Sequence, residues 1–334
     1  MKISKNISLK NFNTFGVDVN AECLVEIENE NDLTLLHQSS LPKPFYPIGH
    51  GSNLLFTRDF KGTIVKFVTN TWKEVSKNND SVIIRADAGC SWDDFVVEML
   101  QNGFFGLENL SLIPGTVGSS PVQNIGAYGA EVSQFVDTVR VYDIDANKFF
   151  EISNAECGFG YRESVFKHKQ NWIVVSVDYR LNTVENTNIS YKALSEYIEK
   201  NNLDAKNSFV IRNAVIAIRE SKLPDYKQIG NAGSFFRNPV VDQDLFNKLL
   251  EKYPNMPFYK EENNRFKIPA AWLIDKSGWK GYRNNNVGVF EKQPLILVNH
   301  GGAKGSEIKE LSEAIQESIK NNFGILLHPE VIIY

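Results

Sequence analysis

The sequence predicts an α+β protein of two or three subdomains, and three observations lead to that prediction. The chain has 334 residues, which exceeds what one hydrophobic core usually covers. Alternating strand patterns and amphipathic helix patterns follow one another without an internal repeat or a low-complexity linker. Clusters dense in glycine, asparagine and serine interrupt them, so we expect polar loops beside the regular elements.

The first part of the chain, to about residue 70, has the pattern of a small α/β unit. The pattern predicts a short helix over 31–38 behind an Asn/Asp cap, and strands at 23–27, 45–48 and 62–67. The next part, to residue 181, is strand-rich. It is expected to hold an amphipathic helix over 92–102 capped by Ser91, a loop that opens a helix over 189–201, and strands at 81–87, 136–143, 148–152 and 172–181.

A third unit is expected from about Lys222 onward. Its pattern predicts a buried strand at 295–299 and helices over 242–253, 270–276 and 306–323. The last ten residues, 325–334, are largely apolar. We expect this end to dock as a strand, since docking removes its apolar side chains from water.

Composition and charge argue against several classes of protein. The formal net charge is −4, and acidic and basic residues are interspersed, so no basic stripe supports nucleic-acid binding. The three cysteines are far apart and no two histidines form an H-x-x-x-H pair, which argues against disulfides and a metal centre. No signal peptide and no run of about 20 apolar residues is found. We therefore expect a cytoplasmic protein that does not enter a membrane.

Three glycine clusters are the candidate ligand-binding segments. Gly49-His50-Gly51-Ser52-Asn53 is predicted to form a turn after a strand, and such a turn suits a pyrophosphate. It matches neither the dinucleotide nor the Walker fingerprint, so a plain turn without a ligand stays the alternative interpretation. Residues 114–129 hold four glycines and two prolines with few charges, so this rigid loop is more typical of a functional segment than of a connection. In Gly230–Pro239, a bare backbone precedes the lone Ser234, and a simple tight turn remains an equally good interpretation.

Five motifs, taken in order, resemble one known family. They are Ile48–Leu55, Pro114–Gly129, Tyr161–Phe166, Gly230–Pro239 and Pro329-Glu330. Together they resemble the UDP-N-acetylenolpyruvoylglucosamine reductase (MurB) family of peptidoglycan synthesis, in the form with an inserted tyrosine loop. The resemblance implies a two-lobed FAD-binding domain of the vanillyl-alcohol-oxidase (PCMH) type and a C-terminal α/β substrate-binding domain. It divides the chain into lobe 1 at 1–70 with the tail 327–334, lobe 2 with the tyrosine loop at 71–221, and the substrate domain at 222–326.

The resemblance implies a reaction and three catalytic residues. NADPH reduces FAD, and the hydride passes to the enolpyruvyl group of UDP-N-acetylglucosamine enolpyruvate to give UDP-N-acetylmuramate. Arg162 would pair with the substrate carboxylate, Glu330 would hold a proton beside that carboxylate, and Ser234 would donate a proton to the carbanion. Taken alone, these residues have simpler interpretations: a surface ion-pair partner, a solvated acid and a turn hydroxyl.

The resemblance also implies ligand-binding residues. Tyr191 corresponds to a tyrosine over the UDP diphosphate, although a packed aromatic at a helix start is an equally good interpretation. Lys222, Asn238 and Gln293 correspond to residues that contact the nucleotide. The residues expected to hold FAD are Gly49, His50, Gly51, Ser52, Asn53, Pro114, Gly115, Thr116, Gly118, Gln123, Asn124, Gly126, Ala127, Tyr128, Gly129 and Arg219.

The sequence departs from the family pattern at its end. Ile332 stands where many members carry a basic residue, and the tail stops at Tyr334. His50 occupies a place where related flavin enzymes can bond covalently to the flavin, but we expect non-covalent FAD here. Two alternatives stay open: a different FAD-dependent oxidase or dehydrogenase on the same fold, and a non-catalytic UDP-sugar-binding protein. We expect a monomer without a metal.

Overall fold

The computed structural model describes all residues, 1–334, and the chain divides into two compact units. The first unit contains residues 1–7, 21–50 and 61–221, and the second contains residues 8–20, 51–60 and 222–334. The chain therefore passes between the units several times. No helix is both long enough and apolar enough to cross a membrane.

The structure contains twenty strands and seven α-helices. The strands are β1 (Lys2–Ser8), β2 (Asn20–Ile27), β3 (Phe45–Pro47), β4 (Leu54–Leu55), β5 (Phe60–Phe67), β6 (Trp72–Lys77), β7 (Ser81–Asp87), β8 (Gly126–Ala127), β9 (Ala130–Glu131), β10 (Val136–Asp143), β11 (Lys148–Ser153), β12 (Trp172–Asn182), β13 (Gly230–Ser234), β14 (Val240–Val241), β15 (Tyr259–Lys260), β16 (Phe266–Lys267), β17 (Arg283–Asn284), β18 (Val287–Val289), β19 (Ile296–Asn299) and β20 (Ile332–Ile333). The helices are α1 (Glu30–Gln38), α2 (Trp92–Gln101), α3 (Lys192–Lys200), α4 (Ser208–Lys222), α5 (Gln243–Lys252), α6 (Ala270–Lys276) and α7 (Gly305–Phe323).

Two sheets form the frame of the first unit. One has the order β1-β2-β5-β3, with β3 parallel to β5, and the other has the order β11-β10-β12-β7-β6. Helix α2 shares a core with the five-stranded sheet, because Trp92 and Phe95 lie 5.9 and 5.3 Å from the Tyr179 ring, measured between ring centroids. These rings are fully buried or nearly so, which fixes α2 and the residues at its N-terminus.

The second unit is built on an antiparallel sheet of order β13-β19-β18-β17. Helix α7 begins at Gly305, where the chain passes very close to the Phe56 backbone: a Cβ on this glycine would lie 1.8 Å from the Phe56 carbonyl oxygen. Strand β20 pairs in parallel with β4, with Ile332 opposite Leu54. The apolar C-terminal end therefore docks as a strand, as the sequence predicts.

Most predicted elements are confirmed within one or two residues, but three expectations differ. The sequence did not predict helix α4. The segment 230–234 forms strand β13, which pairs with β19, rather than a simple turn. Ser91 is the N-cap residue of α2, yet its side chain makes no capping hydrogen bond. The three-part domain division at 70/71 and 221/222 stays a prediction.

We expect Gly305→Ala to destabilise the protein, although alanine is the better helix former. Its Cβ would collide with backbone that has no freedom to move away, and overpacking of this kind costs about 1–3 kcal/mol. Urea unfolding followed by circular dichroism measures the change. The matched control is Gly160→Ala, whose Cβ would meet only the Glu163 Cβ at 3.5 Å. Equal stability of the two variants would contradict this account of the α7 start.

Candidate functional site

Ser234 and Glu330 lie on neighbouring backbone segments of the second unit. The Glu330 N–H donates to the Phe235 carbonyl at 2.8 Å, and the Arg237 N–H donates to the His328 carbonyl at 3.0 Å. The Ser234 side chain, at the end of β13, is exposed, and Glu330 is half-buried. The structure thus places side by side the backbones of two residues that the sequence predicts to be catalytic.

The predicted turn at Gly51-Ser52-Asn53 fixes the Glu330 segment from its other side. The Asn53 amide donates to the Glu330 carbonyl at 3.2 Å, and the Asn53 carbonyl accepts from the Ile332 N–H at 3.0 Å. Gly51 has a φ of 63°, and a Cβ there would lie 2.2 Å from the Phe12 carbonyl oxygen. Only glycine adopts this φ without strain and also leaves room for the Phe12 carbonyl. Gly51 therefore allows the turn in which Asn53 holds the C-terminal segment that carries Glu330.

The predicted substrate residues of the second unit already make structural contacts. The Asn238 Oδ1 accepts the Ala270 N–H at 2.9 Å and so caps α6. The Gln293 Oε1 accepts the Leu295 N–H at 3.4 Å, in the turn before β19. Lys222 is the exposed last residue of α4. One role of the two amides is therefore to shape the local backbone.

In the first unit, the glycine turn that ends at His50 contacts the long loop that starts at Pro114. A Cβ on Gly49 would lie 2.8 Å from the Thr116 Oγ1, and a Cβ on Gly118 would lie 2.6 Å from the Ala88 Cβ. The sequence predicts both clusters as cofactor segments, and the structure brings Gly49 against the long loop. Of the other predicted residues, Ala127 lies in β8, Pro114 lies in an irregular stretch, and the rest lie in bends or turns: His50, Gly115, Gln123 and, in the second unit, Ser52.

Four residues that are not glycine adopt a left-handed backbone in or near this loop. They are Leu112, Asn124, Tyr128 and Arg162, with φ values of 58°, 45°, 48° and 55°. Asparagine tolerates this region, but for the other three it costs on the order of 1–2 kcal/mol each. Strain of this kind persists only where surrounding contacts enforce it, and it is common at ligand-binding sites.

Arg162 lies in a tight turn and its guanidinium contacts the loop. Gly160 and Glu163 exchange backbone hydrogen bonds of 3.0 and 3.1 Å, which places Arg162 third in a four-residue turn. The Arg162 Nη2 donates to the Gly126 carbonyl at 2.7 Å, and Nη1 donates to the Asn124 carbonyl at 3.4 Å. The guanidinium is thus held against residues that the sequence predicts to bind the cofactor.

The tyrosine loop contacts the same glycine loop through a buried amide. The Asn109 Nδ2 donates to the Tyr128 carbonyl at 2.7 Å and to the Asn188 carbonyl at 2.8 Å. The rings of Tyr128 and Tyr191 meet edge to face with centroids 5.4 Å apart. The side chain of Tyr191 is 46% exposed, so it is not the packed core aromatic that was the alternative interpretation. Sequence reasoning missed Asn109, and no motif singles it out.

Helix α4 presents two arginines near Asp93, and only one of them is paired with it. Arg212 binds both carboxylate oxygens of Asp93 at 2.8 Å, and the Leu112 N–H donates to the same carboxylate. Burial raises the pKa of Asp93, but the hydrogen bonds from Arg212 and Leu112 outweigh burial and hold it below its usual value. Sequence reasoning assigned no role to Asp93.

Arg219 is the second arginine, and its Nε is buried without a hydrogen-bond partner. Burial lowers the pKa of this guanidinium, and it outweighs the nearby Tyr128 and Asp93, which act to raise that pKa. Burial also raises the pKa of the Tyr128 hydroxyl. An unpaired buried donor costs about 1–3 kcal/mol, so this position is suited to a ligand that offers an acceptor.

A cavity of about 490 Å³ in the first unit is a separate feature. Arg85 and Arg140 line it, but Arg85 pairs with Asp178 and Glu151, and Arg140 pairs with Glu30. None of the predicted site residues lines this cavity. Both arginines of this cavity are therefore paired within the protein, unlike the Arg219 Nε.

Comparisons with known proteins assign both halves of the chain. Residues 21–148 match a family model described as an FAD binding domain, and residues 224–334 match the C-terminal domain of UDP-N-acetylenolpyruvoylglucosamine reductase. A protein named UDP-N-acetylenolpyruvoylglucosamine reductase from Bacteroides fragilis (strain YCH46) is 43% identical over 333 residues, which cover 98% of this chain and 99% of the relative.

Two solved structures share the fold. The crystal structure of UDP-N-acetylenolpyruvylglucosamine reductase (MurB) from Thermus caldophilus has a TM-score of 0.70 at 22% identity and covers 100% of this chain and 99% of its own. A solvent-stable cholesterol oxidase has a TM-score of 0.53 at 10% identity, with 98% and 86% coverage. Together with the FAD-binding family model over residues 21–148, these likenesses confirm the predicted α+β fold with an FAD-binding domain of the vanillyl-alcohol-oxidase type. By its identity to the Bacteroides reductase over nearly the whole length of both chains, this protein belongs to the UDP-N-acetylenolpyruvoylglucosamine reductase family.

Proposed function

We propose that this chain is the NADPH-dependent flavoprotein that reduces UDP-N-acetylglucosamine enolpyruvate to UDP-N-acetylmuramate. The observation that carries the proposal is the 43% identity to a named reductase over 98% of the chain. The position of Ser234 beside the Glu330 segment supports it independently, because two segments nearly a hundred positions apart in sequence meet there through the hydrogen bonds from Glu330 to Phe235 and from Arg237 to His328. We further expect a monomer in the cytoplasm.

The residues of the first unit fit the FAD that the family implies. Glycines at 49 and 118 allow two turns to pack where a Cβ would collide, and the buried Arg219 Nε lacks an acceptor. Backbone N–H groups of such turns suit phosphate oxygens. When bound, FAD supplies the hydride for the enolpyruvyl double bond after its own reduction by NADPH. FAD is expected to bind non-covalently.

The chain's own residues handle the charge and the proton. The Arg162 guanidinium pairs with the substrate carboxylate and stabilises the negative charge that develops beside it. Glu330 holds a proton near that carboxylate. The exposed Ser234 Oγ donates a proton to the carbon next to the carboxylate, a downhill step because a carbanion is a much stronger base than an alkoxide.

The substrate residues bind the nucleotide part. In the proposal, Lys222 pairs with a phosphate of the UDP group, and Tyr191 covers the diphosphate. Asn238 and Gln293 offer amide groups to the nucleotide, although each also holds backbone in place. The exposure of Lys222 and Tyr191 supports these roles, since both side chains can reach a ligand.

One assay separates this function from its alternatives. The purified protein is expected to be yellow and to oxidise NADPH only when UDP-N-acetylglucosamine enolpyruvate is present. A colourless, inert protein would identify a non-catalytic UDP-sugar-binding protein. Rapid oxygen consumption with an alcohol or sugar, and no response to the enolpyruvyl substrate, would identify an oxidase.

Ser234→Ala is expected to stop proton donation while leaving the flavin reducible. Stopped-flow absorbance should show flavin reduction by NADPH at the wild-type rate, whereas turnover falls about 10²–10⁴-fold. Ser76→Ala, at an exposed position on β6, is the control and should behave as wild type. Normal turnover of Ser234→Ala would remove this serine from the mechanism.

Arg219→Met tests the fit to FAD without an activity assay. We expect the apoprotein to keep its stability, because the change removes a buried unpaired donor. FAD affinity should fall about tenfold or more, since a hydrogen bond from a charged donor contributes about 1.5–3 kcal/mol. Fluorescence titration with FAD and thermal unfolding of the apoprotein give the two values.

Arg212→Met is the matched comparison, two helical turns earlier on α4. It removes one partner of the ion pair with Asp93, so it should destabilise the apoprotein by about 3–5 kcal/mol. Unaltered FAD affinity in Arg219→Met would show that its Nε has another function.

A further inference from the structure

We propose that Asn124 is a positioning residue whose side chain sets the orientation of Arg162. This inference rests on the proposed function, in which Arg162 pairs with the substrate carboxylate. Asn124 is buried, with 1% of its surface exposed, and adopts a left-handed backbone with φ of 45°. Its amide joins three separate segments of the first unit.

The Asn124 amide has both of its donors and an acceptor engaged within the protein. Nδ2 donates to the Glu131 Oε2 at 2.8 Å and to the Gly160 carbonyl at 3.0 Å. Oδ1 accepts the Ser133 N–H at 3.0 Å. An asparagine amide has only two N–H donors. The side chain therefore has no donor left for a cofactor, and its role is to hold protein segments together.

One of these bonds fixes the backbone of Arg162. Gly160 opens the four-residue turn that Glu163 closes, and the Gly160 carbonyl accepts from both the Glu163 N–H and the Asn124 amide. Arg162 occupies the third position of this turn with a positive φ, where glycine or asparagine is usual. The amide thus supports a turn conformation that arginine would not adopt on its own.

The other bonds fix the surface against which the guanidinium lies. Arg162 donates to the carbonyls of Asn124 and Gly126. Gly126 pairs with Glu131 across the β8–β9 hairpin, and the Asn124 amide binds that same Glu131. A Cβ on Gly126 would lie 3.0 Å from the Arg162 Nη1, so the guanidinium packs closely on this hairpin. Asn124 therefore determines both the backbone turn and the side-chain direction of Arg162.

Substitution by aspartate isolates the amide donors. Aspartate has the same shape and also tolerates a positive φ, but a carboxylate would face the Glu131 carboxylate and the Gly160 carbonyl without a proton to share. A small displacement of a substrate-positioning group costs up to about 10²-fold in rate. We expect Asn124→Asp to lower kcat/KM for the enolpyruvyl substrate about 10–100-fold.

A double-mutant cycle with Arg162→Lys shows whether the effect passes through the arginine. If it does, the cost of Asn124→Asp should shrink to less than about threefold in the Arg162→Lys background, because the orientation it disturbs is already lost. The dissociation constant of UDP-N-acetylmuramate, read from the flavin spectrum, should follow the same pattern. Additive effects in both measurements would overturn the proposal.

Two further variants separate positioning from general loss of structure. Asn124→Asp with Glu131→Gln should recover part of the lost rate, since the glutamine amide can donate to the new carboxylate. Asn124→Gly adopts the left-handed backbone without strain and removes only the side-chain amide. If the aspartate variant does not fold, Asn124→Gly takes its place in the double-mutant cycle with Arg162→Lys. The proposed role would be excluded if Glu131→Gln recovered none of the lost rate and the effects of Asn124→Gly and Arg162→Lys on kcat/KM were additive. A wild-type chain that does not turn over the enolpyruvyl substrate would remove the proposed function, and this inference with it.

Discussion

One backbone contact sets the position of Glu330 in the second unit: the Glu330 N–H donates a hydrogen bond to the Phe235 carbonyl. The strand β20, the Asn53 amide and the hydrogen bond from the Arg237 N–H to the His328 carbonyl also hold the C-terminal segment, but the bond from the Glu330 N–H ties Glu330 to the residue that follows Ser234. With it, a terminal glutamate lies beside the strand that ends at Ser234. The fully buried side chains of Phe235 and Phe236 anchor that strand, so a core packing interaction determines where an exposed hydroxyl lies.

The sequence was most informative where local chemistry decides the structure. Glycine clusters predicted close approach of the backbone, and Gly49 and Gly51 both lie where a Cβ would collide. Periodicity located α2 and α7 because their apolar faces are regular. Helix α4 was missed since Val210, Ile211, Val215 and Ile216 are β-branched, and packing against α3 overrides their weak helix propensity.

Contacts between distant segments explain what the sequence did not reveal. The strand character of 230–234 comes from pairing with β19, some 65 residues away, and no local pattern in Gly-Asn-Ala-Gly-Ser contains it. The polar residues Asn109 and Asp93 were missed for a related reason. Asn109 joins the loops at Tyr128 and Asn188, and Asp93 joins helix α4 to Leu112, but no sequence motif marks a side chain of this kind. The site residues named by resemblance were therefore easier to find than the residues that hold them in place.

The two arginines of α4 have different roles: Arg212 stabilises the fold, and Arg219 is suited to bind a ligand. Asp93 satisfies Arg212, and this pair links α2 to α4 and also fixes the strained Leu112. Arg219 receives no such partner for its Nε, so the protein alone carries the desolvation cost of that donor. A ligand acceptor at this position would remove the cost. A ligand that binds the folded state and not the unfolded chain stabilises the fold. At Arg219 this stabilisation would be larger than at a donor that already has a partner in the protein, because binding would also remove the desolvation cost.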